Sequence, residues 1–155
     1  MADIALRPAT ADDAEFFFAL HKLSLGPYVD QIWGWDDDEQ RAYMTGDFDL
    51  DRVRVIVVDG VDAGRLDVEE RDDEVFLGLI ELAPEYQGRG IGSSLIRQLI
   101  DGAGAGAGGT RVTLSVLGVN DRAYQLYRRL GFTEVSRDGV APEVRIRMVA
   151  VSSSR

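Results

Sequence analysis

Cysteine is absent from the chain. Disulfides, a cysteine nucleophile and a thiolate metal site are therefore excluded. Histidine is almost absent: there is one, His21. Without a His/Cys cluster, no zinc site is expected and no metal is assigned. Basic residues are short as well. Lys and Arg number 17 against 27 Asp and Glu, a net charge of −10. A phosphate backbone needs a basic surface, so nucleic acid is excluded as a partner. No apolar run approaches the ~20 residues that span a bilayer, so no membrane partner is expected. Met1-Ala2-Asp3-Ile4 has neither the basic region nor the apolar core of a signal peptide. The expected location is cytoplasmic.

What the chain does have is 155 residues at 45% hydrophobic content, enough for a globular core. One domain is expected over residues 1–150, with 151–155 as a flexible tail. Ile4 to Pro8 predicts a first strand. Thr10-Ala11-Asp12-Asp13 supplies cap chemistry for a helix over Ala14–Leu23. That helix carries Phe16, Phe17, Phe18, Leu20 and Leu23, and also His21, which reads as a surface or packing residue for want of a partner motif. Gly26-Pro27 reads as its break. Asp36 to Asp38 can cap a second helix over Glu39–Met44. Between them Trp33 and Trp35, near Tyr28, are a packing patch or one wall of a pocket.

Val53–Val58, the turn Asp59-Gly60-Val61-Asp62 and Ala63–Glu69 predict a hairpin. Arg71-Asp72-Asp73 turns the chain into Val75–Leu82. That run is apolar on both faces apart from Glu81, as a covered central strand would be. Later strands are expected at Val112–Leu117, Thr133–Arg137 and Val144–Met148. The glycine-alanine tract 102–109 reads as a flexible connection.

The stretch Tyr86-Gln87-Gly88-Arg89-Gly90-Ile91-Gly92-Ser93 follows Val75–Leu82 and precedes a helical pattern, Ile91, Leu95, Ile96, Leu99, Ile100. A strand, a tight glycine turn and a helix put unpaired backbone N–H groups at the positive end of a helix, where an anion binds. Gly88, Gly90 and Gly92 let the backbone bend and let a phosphate come close. The pattern points to a pyrophosphate turn. A Walker loop would need Gly-Lys-Ser/Thr, and no Lys is there. A dinucleotide fingerprint over Gly88–Ser93 would carry Ser93 in its third glycine position. Its acidic partner, Asp101, would sit beside a glycine tract and not at a strand end. A glycine turn that binds nothing is the remaining reading.

Asn120-Asp121-Arg122-Ala123-Tyr124-Gln125-Leu126-Tyr127-Arg128-Arg129-Leu130-Gly131-Phe132 predicts a helix with clear ends. Asn120 or Asp121 caps its start, Ala123, Leu126, Tyr127 and Leu130 form one stripe, and Gly131 can end it in the left-handed conformation. Tyr127 alone reads as a core aromatic.

Together the two stretches resemble the Gcn5-related N-acetyltransferase (GNAT) family. Gln87, Gly90 and Gly92 match its Gln/Arg-x-x-Gly-x-Gly/Ala acyl-CoA signature, and Asn120 to Phe132 match N-x-x-A-x-x-L-Y-x-x-x-G-F. The resemblance implies a mixed α/β fold with a mostly antiparallel twisted sheet of about seven strands and about four helices. It implies acetyl transfer from acetyl-CoA to an amine of a small molecule or a protein, by direct attack in a ternary complex.

Carried over by position, Gln87, Gly88, Arg89, Gly90, Ile91, Gly92 and Ser93 hold the pyrophosphate. Leu82 offers a backbone N–H to the thioester carbonyl. Asn120 lies near the pantetheine arm, and Tyr127 protonates the leaving thiolate. Trp33, Trp35 and Asp36 fall in the segment that covers the acceptor. Arg89, Arg97, Arg122, Arg128 and Arg129 supply local positive charge for a polyanionic cofactor, or are solvated helix faces.

An alkylamine is protonated at neutral pH, so a base is needed. Glu81, Glu74, Asp36 and Glu39 are the candidates. Glu81 leads, because it interrupts an apolar strand; an edge-of-core carboxylate with an ion-pair partner is the other reading. Some protein-amine acetyltransferases carry a glutamate on the fifth strand where Ser115 stands here, which counts against N-terminal protein acetylation. The rival to an enzyme is a non-catalytic acyl-CoA-binding module of the same fold. A homodimer is the default assembly.

Overall fold

The computed structural model describes residues 3–46, 50–105 and 111–151. The elements are β1 (Ile4–Pro8), α1 (Ala14–Ser24), α2 (Gly26–Ile32), α3 (Asp37–Gly46), β2 (Val53–Val58), β3 (Val61–Glu70), β4 (Val75–Leu82), α4 (Ile91–Ala105), β5 (Arg111–Leu117), α5 (Asp121–Arg129), β6 (Thr133–Asp138) and β7 (Arg145–Val151). The seven strands form one sheet in the order β1-β2-β3-β4-β5-β7-β6. Neighbours β1–β2, β2–β3, β5–β7 and β6–β7 are antiparallel, and β4–β5 is parallel. None of the helices among the described residues is long and apolar enough to cross a membrane. The chain divides into two compact units, Met1–Asp67 with Leu79–Ile91 and Val68–Gly78 with Gly92–Arg155.

In the first unit, β2 and β3 are joined by Asp59 and Gly60 alone, with φ of 51° and 82°. Two left-handed residues make the tight turn that suits strand twist. The turn is shorter than expected because Val61 and Asp62 already pair with Val58 and Val57. Phe17 on α1 is fully buried with Val53 and Val55 of β2 and with Ala9. Phe18 and Leu20 are also buried, whereas Leu23 is exposed.

Helix α2 and the start of α3 add to the sequence reading. As expected, α1 ends at Ser24, before Gly26-Pro27; the same pair opens a further helix, α2, with Pro27 in its first turn. No intrahelical N–H is needed there, and the ring already has helical φ. With α2 the described residues carry five α-helices. Asp36 starts α3 two residues early: its Oδ1 accepts from Glu39 N at 2.9 Å and its carbonyl from Gln40 N at 3.0 Å.

The second unit is built on β5 and β7. Alternate residues Ile146, Met148 and Ala150 of β7 are buried, as are Val112, Leu114 and Val116 of β5. That is the period-two pattern of a strand with one covered face. Leu95, Ile96 and Ile100 of α4 and Phe132 are buried too. Contrary to expectation, α4 continues through Gly102 and Gly104 to Ala105. The rest of the glycine tract (106–109) and the tail (152–155) lie outside the described residues, while Val151 belongs to β7.

Candidate active site

Strand β4 buries a carboxylate. Glu81 is 3% exposed and is the penultimate residue of an otherwise apolar strand. Helix α1 answers it with two polar residues one turn apart. His21 Nδ1 lies 2.9 Å from Glu81 Oε2, and the Ser24 hydroxyl donates to the same oxygen. Glu81 Oε1 is buried with no hydrogen-bond partner among the described residues. His21 and Ser24 sit four and seven residues after the buried Phe17, so they continue its stripe on α1.

Trp35 closes this corner, its ring 6.1 Å from those of both His21 and Phe18. Its Nε1 donates to Asp37 Oδ1 at 2.6 Å, and Asp37 pairs with Lys22 at 2.9 Å. Trp33 is 49% exposed. Asp36 is exposed and engaged as the start of α3.

Beyond Glu81, the Ala83 N–H donates to Ala63 O at 2.8 Å, which anchors the exit of β4 to β3. Gln87 folds back and its Nε2 donates to Leu82 O at 2.9 Å. Gly88 and Gly90 then take φ of 75° and 79°, and a Cβ at either would meet nothing within 4 Å. Among the described residues the N–H groups of Gly88, Arg89 and Gly90 make no backbone hydrogen bond. They run into the first turn of α4, whose N–H groups at Ile91, Gly92 and Ser93 have no intrahelical acceptor. Free donors, open space and a helix N-terminus fit a pyrophosphate. Gln87 serves the turn by bracing it, and Arg89 stacks over the Tyr86 ring at 5.5 Å.

In the second unit Asn120 is the cap of α5, its Oδ1 accepting from Ala123 N at 3.2 Å. Gly131, at φ 104°, ends the helix, and Phe132 N donates to Tyr127 O at 3.0 Å. Tyr127 is partly buried, edge-on to Phe132 at 5.7 Å. Burial pushes its phenol up to about 12, so it stays a hydrogen donor at any ordinary pH. No hydrogen bond of its hydroxyl occurs among the described residues. Arg122, Arg128 and Arg129 are exposed.

The remaining carboxylate candidates separate by environment. Glu74 accepts from the Thr113 hydroxyl at 2.7 Å and faces Arg71, Arg111 and Arg147 at 3.3, 3.4 and 3.6 Å. The Thr113 bond first, then the arginines, holds its carboxyl below the usual range. That suits a structural anion. Glu39 and Ser115 are exposed. Among the described residues no group of three or more His, Asp or Glu is placed to hold a metal ion.

The sequence profile of the Acetyltransferase (GNAT) family matches residues 12–132. The chain belongs to this family. Within it, N-alpha-acetyltransferase RimI of Mycobacterium tuberculosis is 48% identical over 56 residues, 36% of this chain and 33% of that protein. The match therefore spans about a third of that relative's length. A spermidine N-acetyltransferase SpeG chimera from Vibrio cholerae and hSSAT superposes with a TM-score of 0.64 at 23% identity, covering 97% of this chain and 96% of that one. Arabidopsis thaliana Naa50, in complex with the bisubstrate analogue CoA-Ac-MVNAL, gives 0.65 at 13% identity, with 94% and 97% covered. These likenesses carry the GNAT fold.

Of the residues singled out from the GNAT motifs and their surroundings, Glu81, Leu82, the turn Gln87–Ile91, Trp33, Trp35 and Asp36 fall in the first unit. Gly92, Ser93, Asn120 and Tyr127 fall in the second. Sequence reasoning gave Ser24 no role and read His21 as a surface or packing residue; the structure sets both against Glu81. A signal was present: two polar residues continuing the buried stripe of one helix, and one glutamate in an apolar strand.

Proposed function

We propose that the protein transfers an acetyl group from acetyl-CoA to an amine by direct attack. Acetyl-CoA, the co-substrate, supplies the acetyl thioester. Backbone N–H groups from Gly88 to Ser93 bind its pyrophosphate, and Arg89 adds charge. The Leu82 N–H donates to the thioester oxygen as it becomes negative. Asn120 lies along the pantetheine arm. Tyr127 gives a proton to the departing sulfur. Glu81 supplies the basicity that frees the amine. Trp33, Trp35 and Asp36 border the acceptor. The reading involves no covalent enzyme intermediate, since the chain has no cysteine and no recognisable activated serine.

The observation that carries this reading is the buried Glu81 carboxylate held by His21 and Ser24 beside the exit of β4. A carboxylate buried in an apolar strand and met by an imidazole and a hydroxyl is a functional-site candidate. The acceptor is an amine of a small molecule or a protein; the names of the relatives cover both, spermidine on one side and N-alpha groups on the other. A net charge of −10 favours a cationic acceptor. The test is thiol release from acetyl-CoA across a panel of amines, read with a thiol dye to which this cysteine-free protein is silent. Release that depends on one amine class is expected. No release, with CoA still raising Tm, would replace the enzyme with an acyl-CoA-binding module.

A further inference from the structure

We infer that His21 Nε2 is the atom that takes the proton from the acceptor amine, with Glu81 acting through it. This rests on the acetyl transfer proposed above and assigns its base.

Depth argues first. The Glu81 side chain is 1% exposed and that of His21 14%. Glu81 Oε1 is sealed, and Oε2 is occupied by His21 and Ser24. An amine cannot meet either oxygen without opening the core. Of the two groups on Oε2, only an imidazole exchanges a proton near neutral pH. The Ser24 hydroxyl is turned to the carboxylate and is no nucleophile.

Tautomer argues second. A carboxylate presents only lone pairs, so the Nδ1 at 2.9 Å carries the hydrogen. In the neutral ring, Nε2 then carries the lone pair. Nε2 makes no hydrogen bond among the described residues. The arrangement is a buried acid with an imidazole bound to it, whose second ring nitrogen makes no hydrogen bond among the described residues. Acid–imidazole pairs of hydrolases divide the work in the same way. The charged groups around the ring are Glu81 from β4 and, through Trp35, Asp37 with its partner Lys22.

The step balances as follows. The ammonium gives one proton to Nε2, and the Glu81 carboxylate offsets the imidazolium. The freed nitrogen pair bonds the acetyl carbon, and the C–S bond breaks with its electrons on sulfur. Tyr127 gives its proton to that sulfur, the second proton lost by nitrogen restores the phenol, and the imidazolium returns its own to water. An amide, a thiol and one proton result. His21 is thus the catalytic residue and Glu81 its positioning residue.

One histidine in the chain means one set of imidazole signals. Long-range 1H–15N spectra of the whole protein read the tautomer without assignment. The Nδ1–H form is expected in the wild type, shifting toward Nε2–H in Glu81→Gln. A wild-type ring in the Nε2–H form would overturn the inference at any level of turnover. The companion measurement is thiol release against pH, with the amine class the wild type accepts. His21→Gln is expected to lose about 10²-fold in kcat/KM or more. The rise in Tm on adding CoA should persist. A His21→Gln protein with wild-type kcat/KM sinks the inference and leaves the transferase reading intact. Absence of turnover in the wild type with every amine sinks the transferase reading, and the base assignment with it.

Discussion

Gly64 on β3 gives its side-chain space to the backbone of Glu81 on β4. An ideal Cβ at Gly64 would collide with the Glu81 carbonyl oxygen and stand 2.9 Å from Leu82 Cδ2. Backbone cannot swing aside as a side-chain end can. Gly64→Ala is therefore expected to cost about 1–3 kcal/mol, a fall in Tm of roughly 2–12 °C for a chain of this size. Turnover should fall with it, because Glu81 and Leu82 shift together. Urea unfolding checks the first part; a midpoint equal to the wild type would show that β3 and β4 have slack.

Asn120 has a structural task apart from any ligand. Asn120→Ala removes the acceptor for Ala123 N and should cost about 1 kcal/mol. Asn120→Ser should restore most of that stability, since a hydroxyl caps nearly as well. If the side chain also touches the cofactor, Asn120→Ser will still bind CoA more weakly by calorimetry. Full affinity in Asn120→Ser would confine the residue to capping.

Tyr127→Phe keeps the ring edge against Phe132 and removes only the hydroxyl. Stability near neutral pH is expected to change little, because that hydroxyl has no hydrogen bond among the described residues. Turnover should fall about 10²-fold, the lower end for a general acid. The phenol also sets an alkaline limit. Its pKa is raised by burial from 10.0 to about 12, so folding favours the neutral form. That contribution is complete below pH 10 and is lost as pH rises toward 12. Tyr127→Phe should flatten the fall in stability over that range, as denaturation at pH 9 and 11 would reveal.

Glu74 sets an acid limit. Its carboxyl is held low by the Thr113 hydroxyl and then by Arg147 and Arg111. A depressed acid stabilises the fold above its unfolded pKa of 4.5 and loses that contribution as pH falls below it. Thr113→Val deletes the largest cause. It should cost about 1.5–3 kcal/mol at pH 7 and lessen the further loss between pH 5 and 3. An undiminished acid loss in Thr113→Val would assign the effect to the arginines alone.

Much of the fold was legible because its signals are local. Asp59-Gly60 makes its turn from two residues, and Asn120 and Gly131 bound α5 by groups within one turn of each end. The misreadings were local too, but were overruled by packing. Each glycine in a helix costs about 1 kcal/mol, yet α4 runs past Gly102 because Ile96 and Ile100 are buried beneath it. Gly26-Pro27 does mark the break after α1, but that a second helix, α2, begins at the same pair was not read.

The candidate site divides along the same line. The glycine turn, its direction into α4 and the cap of α5 were determined by the sequence itself, since they depend on φ, on missing Cβ atoms and on end-of-helix donors. The meeting of His21 with Glu81, 60 residues apart in the chain, was decided only by the tertiary structure. Neither residue carries a local sign of the other. A carboxylate becomes a site when burial removes its water and leaves it one imidazole and one hydroxyl as partners. That change of surroundings is a property of the packed chain.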